Sequence, residues 1–287
     1  MEIGIGIPNA VQGATGPQLL EWARRAEDAG FSTLASIGAV SYPNHEELTV
    51  FAAAAAVTQR IRLTTNVLIA PARSTAELAK QAATVDQISG GRLTLGLGVG
   101  WRQGDFALTR YDFGQRGELF DQQLRDLRTA WAGQALTSET RPVSPPPVQN
   151  PIPVLIGGTT SAAVRRVVEH AVGWTAGGMP PEAVGEFAQR VRAAWSEAGR
   201  EGTPRIVALA YYGLGDTEAE SRRNIIDYYE PMGEQVAGMI ADGVLRSPDA
   251  ISAALQGYQE AGVDELILDP SVTDPGQVDQ LAQITFG

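Results

Sequence analysis

The sequence predicts a closed (β/α)8 barrel, and three observations carry that prediction. Eight short segments with strand patterning each lead into a segment of helical periodicity. The strand segments are mostly apolar and punctuated by glycine, which suits parallel strands covered on both faces. The chain has 287 residues, a length that one α/β barrel fills as readily as two smaller domains. A doubly wound open sheet with added helices is the competing arrangement, and the eightfold count favours closure.

The elements follow in order. Ile3, Ile5 and Ile7 alternate with glycines before Pro8 and read as the first strand. Residues 17–29 place Leu19, Leu20, Ala23 and Ala26 on one helical side, with Pro17 in the first turn and Gly30 as the stop. Residues 31–37 form the second strand, 46–58 a helix for which Asn44 is an available cap, and 61–69 the third strand. Ser74 opens a helix to about residue 88, and 93–99 form the fourth strand. Residues 115–131 are amphipathic, with Leu119, Leu124, Leu127 and Trp131 inward, whereas the proline-rich 133–152 reads as loop or edge. Strands at 153–157, 172–176, 205–213 and 263–269 complete the eight, with helices at 161–171, 181–199, 217–229, 248–261 and from about 275.

Composition excludes several functions. There is no cysteine, which removes disulfides, thiolate nucleophiles and Cys-based metal sites. Only His45 and His170 are available, so a His-rich metal site is absent and no metal is expected. Against 22 Lys plus Arg stand 33 Asp plus Glu, and a net charge of −11 opposes an electrostatic grip on nucleic acid. The N-terminus goes straight into a strand without signal-peptide regions, and no apolar run reaches membrane length, so a soluble cytoplasmic protein is expected.

In a barrel, ligands meet the C-terminal ends of the strands. Two turns there suit an anion, with plain turn structure as the alternative: Gly157, Gly158 and Thr159 before one helix, and Thr175, Gly177 and Gly178 before the next. Glycine permits tight turns, and free N–H groups at a helix start hold phosphate. The GLGVG run at 96–100 is no dinucleotide fingerprint, because no helix follows it directly. Its glycines read as close backbone approach that leaves space for a flat ligand. Tyr42 and His45 lie in a polar loop where a histidine serves as proton donor or as a plain exposed residue. Trp101 and Arg102 follow the fourth strand and offer a pocket wall and an anion partner, with an Arg102–Asp105 ion pair as the alternative. No Ser-His-Asp set or clear carboxylate pair is visible, which points to a cofactor for the difficult chemistry.

Several stretches together resemble the bacterial luciferase-like family of flavin and deazaflavin oxidoreductases, and specifically its branch using the deazaflavin F420. They are IGIGIP at 3–8, AEDAGFSTL at 26–34, the long run from Thr58 to Trp101 with its ISGGR turn, RGELFDQQLRDLRTAW at 116–131, IPVLIGGTTSAAVRRVVEHAVGW at 152–174 and YQEAGVDELIL at 258–268. The resemblance implies a single TIM-barrel domain over 1–287, with inserted segments near 102–115, 133–152 and 230–247. It implies a homodimer and a flavin ring in the barrel mouth. Asn66–Val67 matches the family's bulge and non-proline cis peptide; Gly157, Gly158 and Thr159 match its phosphate-binding backbone, and Thr175, Gly177 and Gly178 a second contributor. Two departures stand out: Ile37 and Gly38 occupy positions where many members carry Asp-His, and Trp101 stands near where some carry Glu. Gly38 remains among the expected cofactor contacts, Trp101 and Arg102 among those for substrate, and proton delivery falls to Tyr42, His45 or water. The implied function is F420-dependent hydride transfer to or from a small or medium organic substrate. The alternatives are an FMN-dependent monooxygenase using reduced flavin and O2, and a noncatalytic homologue acting as a partner subunit.

Overall fold

A computed structural model describes all 287 residues. Its strands, β1 (Glu2–Gly6), β2 (Thr33–Ser36), β3 (Arg62–Ile69), β4 (Leu93–Gly98), β5 (Val154–Gly157), β6 (Gly173–Thr175), β7 (Arg205–Tyr212) and β8 (Glu265–Pro270), pair in parallel and in sequence order. The pairing of β1 with β8 closes the barrel. The expected (β/α)8 architecture is therefore the observed one.

Eleven α-helices surround it: α1 (Gly16–Ala29), α2 (Glu47–Val57), α3 (Thr75–Ser89), α4 (Gln103–Thr109), α5 (Arg116–Trp131), α6 (Ser161–His170), α7 (Pro181–Glu197), α8 (Glu218–Tyr229), α9 (Glu234–Asp242), α10 (Pro248–Glu260) and α11 (Gly276–Phe286). Local chemistry explains several boundaries. In α1, Thr15 N–H donates to Gln18 Oε1 at 3.0 Å, Pro17 sits in the first turn, and Gly30 takes a left-handed φ of 91° to end the helix. Leu19, Trp22, Ala23 and Ala26 are then the buried face.

Some sequence expectations need correction. Glu46, not Asn44, caps α2, because its carboxylate accepts from Thr49 N at 2.7 Å. On α5, Phe120 is buried and Leu119 only half-buried, since the inward face is centred on Phe120, Gln123, Leu124 and Leu127. Residues 102–115 include α4, so a helix does begin just after the 96–100 glycines, where none is expected to follow directly; 230–247 include α9, and 133–152 carries no helix or strand, as expected.

The principal core, 53 buried residues, lies between strands and helices. Inside the barrel the side chains form layers. At the N-terminal end, Glu265 meets Arg205 at 2.7 Å and Arg62 at 3.2 Å. Ala35, Leu155, Val207 and Ile267 fill the middle. Two residues further along their strands, Ile37 and Asp269 belong to the level of the mouth. The GLGVG glycines allow the close backbone approach expected of them, but Gly96 and Gly98 do so for the β3 bulge. A Cβ on Gly98 would lie 2.7 Å from Val67 Cγ2, and one on Gly96 would lie 2.0 Å from Thr65 O. The space that Gly96 and Gly98 leave is filled by Val67 and by the β3 backbone, and that over Gly100 by Ile69 and Phe106. Gly96→Ala should therefore destabilise the protein by about 3 kcal/mol, because the close neighbour is backbone and cannot rotate away. Urea unfolding midpoints measure this directly, and a change below about 0.5 kcal/mol would contradict the packing.

Candidate functional site

The mouth is organised by a bulge in β3. The β3–β4 register shifts between Thr65 and Leu68, and the Asn66–Val67 peptide is cis. The displaced residues turn into the barrel. Asn66 Oδ1 accepts from Thr175 Oγ1 at 2.6 Å, which ties the bulge to the end of β6, while Asn66 Nδ2 is buried without a partner. A buried amide left half satisfied costs about 1–3 kcal/mol, and a ligand acceptor at the mouth would recover it. A Cβ on Gly157 would stand 3.1 Å from Val67 Cγ1, so that glycine also makes room for the bulge.

Beyond β5, Gly158 has φ of 99°, and Gly158 and Thr159 are exposed. Thr160 caps α6 by accepting from Ala163 N at 3.2 Å. Trp174 Nε1 donates to Gly158 O at 2.8 Å and fixes the turn from below. Beyond β6, Gly177 and Gly178 are exposed, and no atom lies within 4 Å of a Cβ built on Gly177. The two glycine turns thus border one rim of the mouth, with α6 presenting its N-terminus there.

Gly38 is close-packed. A Cβ there would meet Glu47 Oε1 at 2.1 Å and Val67 O at 2.7 Å. No histidine fits in this backbone, because the buried Glu47 carboxylate occupies the space. Glu47 is a residue the sequence reading missed. It pairs with Arg73 at 2.7 Å, and burial raises its pKa to about 7 against the pull of Arg73.

On the opposite rim, an aromatic cluster covers the mouth. Arg102 is buried, donates to Tyr228 O at 2.6 Å, and its guanidinium lies 4.7 Å from the Trp101 ring, 5.0 Å from Tyr228 and 5.5 Å from Tyr42. The expected alternative pairing with Asp105 does not form. Asp105 instead accepts from Val40 N, Ser41 N and Ser41 Oγ at 2.7–2.9 Å and holds the loop after β2. Trp101, half-exposed, stacks on Tyr229 with ring centroids 6.2 Å apart. Arg102 is therefore held by aromatic faces and a carbonyl rather than left free to receive an anion.

Tyr42 OH donates to Asp227 Oδ2 at 2.7 Å, and burial with that carboxylate beside it pushes the phenol well above its usual value. Such a phenol is a weak acid. His45 is exposed, its Nε2 lies 2.8 Å from Ala14 O, and it borders the groove between α1 and α2. The structure brings Gly38, Asn66, Val67, Gly157 and Thr175 together around the bulge, with Gly158, Thr159, Gly177 and Gly178 on the adjoining rim. It places His45 outside that group. Sequence reasoning also missed Tyr228 and Tyr229, since no pattern shows that the end of α8 crosses back over the mouth.

Residues 1–268 match the luciferase-like monooxygenase family. The chain belongs to that family. An uncharacterized protein of Mycobacterium tuberculosis is 33% identical over 165 residues, a match covering 55% of this chain and 58% of the relative. Among solved structures, an F420-dependent secondary alcohol dehydrogenase in complex with an F420-acetone adduct has the same fold, with a TM-score of 0.81 at 15% identity over 99% of this chain and 97% of that one. The oxygenating constituent of 3,6-diketocamphane monooxygenase from Pseudomonas putida, in complex with FMN, gives a TM-score of 0.74 at 16% identity over 100% and 97% of the two chains. No helix of this chain is long and apolar enough to cross a membrane.

Proposed function

We propose that this protein is an F420-dependent oxidoreductase acting on a small or medium uncharged organic substrate. The observation that carries the reading is the β3 bulge, which turns Asn66 and Val67 inward opposite two exposed glycine turns. The residues present fit a flat, phosphorylated cofactor. Backbone at Asn66–Val67 offers one ring face a support, and the unpartnered Asn66 Nδ2 offers that ring a donor. Gly158 and Thr159, with the first N–H groups of α6, suit the phosphate, and the open space over Gly177 accommodates the tail.

When bound, the reduced deazaflavin supplies a hydride. The chain's own contribution is alignment and exclusion of water. Thr175 holds Asn66 and thereby the bulge; Trp101 and Tyr229 wall the substrate side; Arg102 braces that wall through Tyr228.

Titrating the purified protein separately with F420 and FMN, following fluorescence, tests the assignment. Saturable F420 binding with weak or absent FMN binding is expected. Tight FMN binding with none for F420 would replace this reading by the monooxygenase one.

The homodimer belongs to the same proposal. On α2 and α3, Ala54, Ala55, Ala79, Ala82 and Ala83 are buried against the barrel, whereas Ala53, Ala56 and Ala76 are exposed. Small exposed residues permit close helix approach by a second copy. Light scattering should give twice the 30.4 kDa chain mass, and a monomeric mass at all working concentrations would count against it.

A further inference from the structure

One carboxyl group at the mouth has no part in the arrangement above. Asp269 lies near the C-terminal end of β8, beside Tyr211 of β7 in the strand register, and is 4% exposed. Its Oδ1 is buried without any hydrogen-bond partner. A Cβ on Gly6 would lie only 1.7 Å from that oxygen, so the first strand is stripped of a side chain where the carboxyl group points. A small cavity of about 20 Å3 adjoins it, lined in part by Ile37, Tyr211, Asn224, Tyr228 and Ser271. Beside it, the Tyr211 hydroxyl is 2.7 Å from that of Tyr229, whose ring stacks on Trp101, 38% exposed.

We propose that Asp269 is the proton donor of this active site, acting on a carbonyl or imine substrate reduced over the β3 bulge. The proposal rests on the oxidoreductase reading above. A hydride from the reduced flavin or deazaflavin forms a C–H bond at the substrate carbon, and the C=O or C=N electron pair moves onto oxygen or nitrogen. The Asp269 O–H bond breaks as that atom takes the proton, leaving an alcohol or amine, an oxidised cofactor and an Asp269 carboxylate. Solvent returns the proton to the Asp269 carboxylate before the next turnover.

Electrostatics agree with this assignment. Burial keeps the Asp269 carboxyl well above the usual carboxylate range, so it holds a proton to give. The ionisable groups facing it are Tyr211 and Tyr212 on β7 and Tyr229 on α8, all of them raised by burial. The cation of this region, Arg102, is engaged with Tyr228 O instead. The missing Asp-His pair after β2 is then no loss of acid, because the donor stands on β8.

Two measurements on the full chain test the proposal. The infrared difference spectrum of parent minus Asp269→Asn, both as free protein at about pH 6, should show a protonated carboxyl band, with the Glu47 band that the two proteins share cancelling. In single turnover with F420 or FMN, whichever the titration shows to bind, and a panel of ketones and imines, Asp269→Asn should bind cofactor within about threefold of the parent. Its reduction rate should fall about 100-fold or more, the range general acids supply, and the parent's decline at high pH should vanish. Asp269→Glu should restore part of the rate. An unchanged rate in a folded Asp269→Asn variant, or no protonated band in the parent-minus-variant spectrum, overturns the role of Asp269 while leaving the cofactor assignment standing. Failure of both cofactors to bind overturns the two together.

Discussion

Gly158→Asp is expected to weaken binding of the phosphorylated cofactor about 100-fold, with the fold retained. The turn at Gly158 has φ of 99°, a conformation that side chains rarely adopt, and it precedes the capped N-terminus of α6. Aspartate tolerates positive φ better than most residues, so the backbone penalty is about 1 kcal/mol. Its carboxylate, however, would take the position expected for the phosphate and repel it. Like charges at close range cost several kcal/mol, and about 3 kcal/mol corresponds to a 100-fold loss. Titration of F420 into the variant measures the loss, and circular dichroism checks the fold. Because the repulsion is electrostatic, raising the salt should recover part of the affinity. Binding within about threefold of the parent would move the phosphate elsewhere on the rim.

Glu47→Gln should remove a pH dependence of stability between about pH 4.5 and about pH 7. In the folded chain Glu47 is 1% exposed in its side chain, and burial raises its pKa from 4.5 to about 7. The folded state then binds a proton more tightly than the unfolded state. Stability from this group is fully present below about pH 4.5 and is lost as pH rises through about 7. At 1.36 kcal/mol per pH unit the loss is about 3 kcal/mol. Glu46 has the opposite shift, lowered by Thr49 and Arg73, so its contribution is lost in acid. Asp269 has a raised value like Glu47 and adds a slope of the same sign. Comparing parent and Glu47→Gln by urea unfolding at several pH values isolates the Glu47 slope. Identical pH profiles would mean that Arg73, at 2.7 Å, keeps Glu47 ionised throughout.

Much of the candidate site was legible because it depends on backbone freedom. The Gly157–Gly158 and Gly177–Gly178 turns were visible as glycine pairs at strand ends, and their exposure follows from the barrel geometry. His45 shows the limit of such reasoning. Its loop position was readable, but its direction was not: the loop carries it toward Ala14 and the groove between α1 and α2. Arg102 was read as an anion partner because of its charge. Only the return of α8 across the mouth supplies the aromatic faces and the Tyr228 carbonyl that hold it.

The order and type of the barrel elements were fixed locally. Apolar runs, periodicity, prolines in first turns and glycines at helix ends act within a few residues, so the one-dimensional pattern carries them. The sequence by itself therefore determined the (β/α)8 barrel and the strand ends where chemistry gathers. Tertiary structure alone decided which groups meet across the barrel: Thr175 with Asn66, 109 positions apart, and Glu47 beneath Gly38. It alone decided that Gly96 and Gly98 accommodate Val67, and that Asp269 is buried unpaired at the mouth. The reason is physical: burial and hydrogen-bond satisfaction depend on what the closed barrel brings alongside, and sequence neighbours carry no record of it.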